Sequence, residues 1–455
     1  MTTHMLQHNN ILFTDAYKET HWKQLPEGTT KIYSYLEARQ SDIFGLQIIL
    51  KKYLSTPFTK QDIDDAETFC QKVFGTNHFN RAGFEYILEK YNGYWPVRIK
   101  AVPEGTVVNL HNVLMTIENT DDNVPFVTDF LETMLMQVWY PITVATVSFK
   151  IKTIIAEYCN LTGCEVSPFH LNDFGFRGVS SRESAGIGGA ANLINFDGTD
   201  TLEGIIYAQQ FYNANHCGFS VPATQHGTTI VYGQAHECEA YSRFLDLYPT
   251  GIVSIVSDSY DIYNAVDMFG TILKDKVLAR DGKLVIRPDS GDPVEVTVEV
   301  LKRLDKYFGS TINEKGYKVL NPKVGIIYGD GIDDTTIYYI LDRMERYGFA
   351  ASNVVFGMGG ALLQKVNRDT FGFAIKCSET IVNGEVRKVS KKSNSEFKRS
   401  KAGRLKLVRD GKKYKTVNED AAGEDILRTV YENGVITVEE QFDVIKARTN
   451  EFINP

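Results

Sequence analysis

Residues 284–308 read LVIRPDSGDPVEVTVEVLKRLDKYF and contain one complete strand-to-helix unit. Leu284-Val285-Ile286 is a short apolar strand whose end turns polar at Arg287, Asp289 and Ser290. Asp292 is placed to cap the next helix and Pro293 suits its first turn. Val294, Val298, Leu301, Leu304 and Phe308 then recur at helical spacing. The unit repeats along the chain. Ile252–Ser257 ends at Asp258, Val324–Tyr328 at Gly329-Asp330-Gly331, and Val354–Phe356 at Gly357-Met358-Gly359-Gly360. Strands separated by helices predict a parallel sheet, with ligands beyond the carboxyl ends of its strands. If such units close into a barrel, those polar ends converge on one face. Asp258, Arg287, Asp289, Asp330, Gly359 and Gly360 are therefore expected around one site. The alternative for each acid is that it merely caps the helix that follows.

Upstream, Asp173–Thr201 reads DFGFRGVSSRESAGIGGAANLINFDGTDT, with six glycines and two arginines between apolar flanks. Glycine lets backbone approach a ligand, and arginine forks grip phosphate oxygens in pairs. The stretch reads as an anion-binding site where strands give way to helices. Gly186, Gly188 and Ala191 also fit the dinucleotide fingerprint G-x-G-x-x-A. That fingerprint needs a buried strand before it and an acid about 20 residues on, and neither is present. A second alternative is that these glycines only let a helix pack tightly.

The 455 residues suit two domains, and 43% hydrophobic with 23% charged residues is an ordinary soluble composition. A net charge of −8 argues against a general nucleic-acid binder. The six cysteines are scattered without a C-x-x-C pair, which predicts neither a zinc site nor a disulfide framework and suits a reducing cytosol. His236-Glu237-Cys238-Glu239 reads as a solvated helix face rather than a ligand set. The N-terminus carries no signal-peptide pattern. Thr133–Phe149 is free of charge but too short and too polar for a membrane span, so it reads as a buried core helix or helix pair. A helical pattern over Asp121–Cys159 is expected to break at Pro141.

The organisation expected is an N-terminal part, 1–150, that mixes strands and helices, a (β/α) catalytic barrel over 151–376, and a C-terminal part, 377–455. In the last part Asn383-Gly384, Asp410-Gly411 and Asn433-Gly434 mark three hairpins packing with the N-terminal strands. The basic run Lys398-Arg399-Ser400-Lys401, with Arg404, reads either as a solvated loop or as a phosphate-binding lip.

Ordered motifs run nearly end to end: TDAYK from Thr14, EKYNGYWP from Glu89, AVPEG from Ala101 and WYPITVAT from Trp139. They continue through DFGFRGVSS, NFDGTDT, GFSVPATQH, VSDSYDIYN, IRPDSG, GDGID, FGMGG, LLQK, KCS and KRSKAGRL. Together they resemble the nicotinamide phosphoribosyltransferase family of type II phosphoribosyltransferases. The resemblance implies an α/β fold: a distorted barrel of parallel strands with a β-rich domain built from both ends of the chain. It implies transfer of phosphoribose from phosphoribosyl pyrophosphate to nicotinamide, with Mg2+ held mainly by the substrate pyrophosphate and ATP as an optional activator. A nicotinate-specific enzyme of the same superfamily and an inactive nucleotide-binding protein on the same scaffold are the rival readings.

By match, Arg177, Arg287 and His226 meet the diphosphate, and Asp289, Gly329 and Asp330 meet the ribose. Asp258 is a candidate for the ribose or magnesium shell. Gly360 and Arg368 match the 5′-phosphate end, with Gly359 keeping the backbone close. Phe174 matches the ring that stacks on nicotinamide, and Asp200 the carboxylate that accepts its amide N–H. Tyr17, accompanied by Asp15, matches a ring supplied by a second subunit, so the resemblance implies a homodimer with shared sites. His226, Asp289, Arg287 and Asp258 are the catalytic candidates. The chain departs from the family at Phe176, often tyrosine, at Ala16, usually serine, and at Gln225-His226-Gly227, commonly Glu-His-Ser. The last departure predicts weaker phosphorylation of His226 by ATP, unless another carboxylate replaces the missing glutamate.

Overall fold

The computed structural model describes residues 6–38, 41–109, 111–391, 400–411 and 413–453. The chain forms two compact units. One gathers Met1–Thr146, Phe211–Asn213 and Asn367–Thr449, and the other Val147–Gln210, Ala214–Val366 and Asn450–Pro455.

The second unit is built on a six-stranded sheet, all of whose pairs are parallel. Its order is Gly198–Thr199, Leu171–Asp173, Val354–Met358, Val324–Tyr328, Asp281–Arg287 and Thr250–Val256. The segment Phe219–Thr224 joins the two edges. Phe219 bridges Gly198 and Ala223 bridges Ser254, both in parallel sense. Thr199 N donates to Phe219 O at 2.9 Å, and Ser254 N donates to Pro222 O at 3.0 Å. The sheet therefore curls into a distorted barrel, as expected.

Strand alternation explains the continuous apolar runs. Leu284 and Ile286 are fully buried, while Lys283, Val285 and Arg287 line an internal cavity. The helix after the quoted unit spans Pro293–Phe308. Asp292 caps it, accepting from Val294 N and Glu295 N at 3.0 and 2.9 Å. Asp261 and Asp333 cap Ile262–Gly270 and Asp334–Arg346 in the same way. Each cap lies three residues after a strand-end acid, so Asp258, Asp289 and Asp330 are not the capping residues.

The glycines of the second stretch have a different role from the one first read into them. Arg182–Leu193 is a helix that contains Gly186, Gly188 and Gly189. A β-carbon at Gly186 would overlap the Tyr207 ring, and one at Gly189 would stand 2.9 Å from Gly204 Cα. They permit close packing on helix Leu202–Tyr212, and ligand approach is left to the loop before them.

The first unit holds a seven-stranded antiparallel sheet. Thr29–Ala38 lies between Ala374–Val382 and Asn112–Asn119, so both ends of the chain share one sheet. The expected boundary at 376 is displaced for this reason, because it falls inside the strand Ala374–Val382. The three Asn-Gly and Asp-Gly turns do join hairpin strands. An aromatic cluster of Phe58, Phe84, Trp95 and Phe130 fills the core, Trp95 and Phe130 stacking at 5.8 Å between centroids. Each such buried ring contributes roughly 1.5–3 kcal/mol.

Pro141 does not break a helix: it stands in the first turn of Trp139–Thr162, where its missing N–H costs nothing. Among the described residues no helix is long and apolar enough to cross a membrane. Lys398 and Arg399 lie outside the described residues. Lys401 pairs with Glu37, and Arg404 with Glu118 and, at 3.1 Å, Glu379. Those two cations are partly exposed but paired with carboxylates.

Candidate active site

The carboxyl ends of the barrel strands bring five of the expected residues into one constellation. His226 begins a short helix just after the barrel-closing segment. Its Nε2 stands 2.9 Å from Asp258 Oδ1, beyond strand Thr250–Val256, and its Nδ1 3.8 Å from Asp289 Oδ2. Asp258 is almost fully buried, and its second oxygen accepts from the Ser290 hydroxyl. Burial pushes the Asp289 carboxyl up. Arg287 opposes that shift, Asp258 adds to it, His226 opposes it, and Asp330 adds the smallest contribution. The site thus gathers three carboxylates around one imidazole and one guanidinium. Arg287 Nη2 donates to Thr224 O at 3.1 Å, which anchors the fork, while its buried Nε has no partner among the described residues.

Phe174 follows strand Leu171–Asp173 and is held by its own N–H, which donates to Met358 O at 3.0 Å. A β-carbon at Gly357 would overlap the Phe174 ring, and one at Gly329 would stand 3.3 Å from it and 3.8 Å from Asp289 Oδ1. Gly357 is the glycine this ring requires, and sequence reading passed over it in favour of Gly359. At Gly359 a β-carbon would make only ordinary contact, and at Gly360 it would meet open space.

Phe174, Asp200, Ser220 and Arg287 border a cavity of about 340 Å³ inside the barrel. The Ser220 hydroxyl donates to Asp200 Oδ1, and Asp200 N donates to Asp173 O at 2.9 Å. Asp173, completely buried, accepts from Gly175 N at 2.7 Å, and burial pushes its carboxyl up to about 6. Ser220, Ser290, Asp173 and Gly357 all lay within motifs already quoted, but only the register of the strands reveals their partners.

Arg177 sits exposed on the loop after strand Leu171–Asp173, in the single turn Phe176–Gly178. A β-carbon at Gly178 would lie 3.7 Å from Gly360 Cα, so that loop meets the one after Val354–Met358. Arg368, Asp15 and Tyr17 belong to the other unit. There Arg368 is exposed, with Nη2 3.5 Å from Asp369. Asp15 Oδ2 accepts from Thr133 Oγ1 at 2.7 Å, and Tyr17 is 58% exposed, its ring edge-on to His21.

Residues 169–435 match the nicotinate phosphoribosyltransferase family, and residues 9–99 match the N-terminal domain of nicotinamide phosphoribosyltransferase. A nicotinamide phosphoribosyltransferase of Xanthomonas campestris is 45% identical over 97% of this chain and 98% of its own. This chain belongs to the nicotinamide phosphoribosyltransferase family. A nicotinamide phosphoribosyltransferase of Acinetobacter baylyi is 34% identical, over 97% of each chain. A nicotinate-nucleotide pyrophosphorylase from Pyrococcus furiosus shares the fold at TM-score 0.66 and 18% identity, over 99% of this chain and 96% of that one. Membership agrees with the barrel and with the enzymatic character read from the motifs.

Proposed function

We propose that this chain transfers the phosphoribosyl group of phosphoribosyl pyrophosphate to nicotinamide, forming nicotinamide mononucleotide and pyrophosphate. The observation that carries the reading is the cavity inside the barrel, whose lining includes Phe174, Asp200 and Arg287, each at the carboxyl end of its strand. A flat ring on Phe174 can turn its carboxamide N–H toward Asp200, whose other oxygen Ser220 holds in place. The pyridine nitrogen needs no general base, since its lone pair is free to attack. Catalysis is then positioning and electrostatics.

Arg287, whose buried Nε has no partner among the described residues, and Arg177, exposed on its loop, are the cations that meet the leaving diphosphate. As the bond to ribose loosens, the sugar gains positive character. Asp289 and Asp330 hold its hydroxyls and favour that charge. Gly360 receives the 5′-phosphate. His226, with a carboxylate near each ring nitrogen, is the residue ATP phosphorylates.

The residues present fit Mg2+. Asp258, Asp289 and Asp330 supply hard oxygen donors and a surplus of negative charge. Among the described residues no group of three such ligands could hold an ion alone, and with substrate bound its pyrophosphate oxygens would supply most of the ion's ligands. When bound, it neutralises diphosphate charge. The working enzyme is a homodimer in a reducing cytosol, with Tyr17 and Asp15 completing the neighbouring site.

The test is purified protein with phosphoribosyl pyrophosphate, magnesium and either nicotinamide or nicotinate, the product being identified by mass. Nicotinamide mononucleotide is expected. Transfer to neither base would overturn the reading, and transfer to nicotinate alone would replace it with the acid-specific enzyme.

A further inference from the structure

Cys159 and Cys164 stand at the end of the long helix Trp139–Thr162, and neither is among the residues given a role above. The helix ends on Gly163, whose φ of 78° is left-handed. Gly163 N and Cys164 N both donate to Cys159 O at 2.9 Å. This is a Schellman ending, in which the residue after the glycine folds back on the residue that begins the last turn. Those two positions usually carry a hydrophobic contact. Here both are cysteine.

The environments of the two sulfurs differ. Cys159 is buried, its Sγ donating to Glu165 O at 3.5 Å. Cys164 is half-buried, with Thr162 Oγ1 at 3.9 Å. The neighbouring Cys159 thiol, and behind it Thr162 and Ser352, hold the Cys164 thiol below its ordinary value against the burial that opposes them. Its partner is displaced upward by the same neighbour and by burial. One member of the pair is thus a ready nucleophile, and the other is held against it as a resolving thiol. The loop is fixed on both sides. Asn313 Nδ2 donates to Thr162 O at 2.7 Å, and Ala351 N donates to Thr162 Oγ1 at 3.0 Å.

We propose that Cys159 and Cys164 form a reversible dithiol–disulfide site that takes low-molecular-weight disulfides such as oxidised glutathione. The Cys164 thiolate attacks one sulfur of the oxidant, breaking its S–S bond and expelling one thiolate. Cys159 gives up its proton and attacks Cys164 Sγ, breaking the mixed disulfide and expelling the second thiol. Two cysteine thiols are oxidised, and one disulfide is reduced to two thiols. A disulfide needs its α-carbons within about 7 Å, and the bond from Cys164 N to Cys159 O draws these two together.

The experiment treats the full-length protein with oxidised glutathione, then maps each cysteine by peptide mass and counts free thiols after denaturation. The free-thiol count is expected to fall from six to four, with the loss confined to an internal disulfide in the peptide holding Cys159 and Cys164. Dithiothreitol should restore it. Cys159→Ala is expected to trap glutathione on Cys164, while Cys164→Ala should leave Cys159 unmodified. Both variants should keep the transferase activity of the reduced enzyme, which shows that they fold. An unchanged thiol state at both positions overturns the proposal. So does glutathione left on wild-type Cys164 without ring closure, or a disulfide that pairs either cysteine elsewhere.

Discussion

His226 Nε2 is 2.9 Å from Asp258 Oδ1, whereas Gln225, its neighbour in sequence, is engaged with Thr228 at the start of the short helix. With the Nε2 proton given to Asp258, the lone pair falls on Nδ1, the nitrogen that faces Asp289 at 3.8 Å. The ordering carboxylate that residue 225 lacks is therefore provided by residue 258. The Gln225→Glu, Gly227→Ser double variant is expected to change ATP stimulation by less than about twofold. Asp258→Asn can present an N–H to the ring and select the wrong tautomer. It is expected to lower phosphorylation of His226 on the order of a hundredfold. Mass analysis of the phosphoenzyme checks both. A large gain in the double variant would return the role to position 225.

Gly357 controls the Phe174 ring. An alanine there would overlap it, and overpacking of this kind costs about 1–3 kcal/mol. Gly357→Ala should raise the KM for nicotinamide about tenfold and leave the KM for phosphoribosyl pyrophosphate nearly unchanged. Equal rises in both constants would mean that Phe174 does not contact the base.

The barrel was legible because each strand ends in polar residues and each helix opens on a recognisable cap. In the quoted unit the cap can be told from the site acid, because Asp292 stands directly before a proline and a helical pattern, and the same spacing holds at the other two strands. Asp258, Asp289 and Asp330 follow the strands and gather near His226 and Arg287, while Asp261, Asp292 and Asp333 cap the helices three residues on. Composition cannot tell these acids apart; the position where the strand stops does. The glycines of Arg182–Leu193 were misread for a related reason, since helix packing and ligand approach demand the same residue. Gly357 and Ser220 escaped because their partners, Phe174 and Asp200, are brought to them only by strand pairing. Lys401 and Arg404 looked free because the carboxylates that hold them lie elsewhere in the chain.

Glu104 makes the stability of the first unit depend on pH. It is buried, accepts from Gly45 N at 2.9 Å, Gln47 N at 2.8 Å and Tyr212 Oη at 2.7 Å, and is pushed by burial up to about 7. The folded state therefore favours the protonated acid. That contribution is fully present below the ordinary value of 4.5 and is lost as pH rises through about 7. It amounts to about 3 kcal/mol. Denaturant titrations across this window should show wild-type stability falling relative to Glu104→Gln as pH rises. Parallel curves would place the titration elsewhere.

Subunit sharing has a genetic signature. Tyr17 is 58% exposed, and Asp15 beside it is pinned to Thr133. Tyr17→Ala and Arg287→Ala should each be nearly inactive alone. Mixed and allowed to exchange subunits, they should recover part of the activity, because one site of a heterodimer is intact. No recovery despite demonstrated exchange would restrict each site to one chain.

If nicotinamide binds as proposed, choice of base rests on Asp200. Ser220 donates to one of its oxygens, which leaves the other able to accept from the carboxamide N–H of nicotinamide. Nicotinate would set its own carboxylate against this one. At about 4 Å and an effective dielectric near 20, like charges repel by roughly 4 kcal/mol, on the order of a thousandfold in kcat/KM. Asp200→Asn keeps the shape and the bond to Ser220 but removes the charge, so most of that preference should vanish. The change should come from improved use of nicotinate as well as poorer use of nicotinamide. Asp200→Ser should do the same with a larger loss on nicotinamide, since the shorter side chain no longer reaches the amide. The ratio of kcat/KM for the two bases, measured in wild type and both variants, checks the charge argument. Equal use of both bases by the wild type would remove Asp200 from the recognition of nicotinamide.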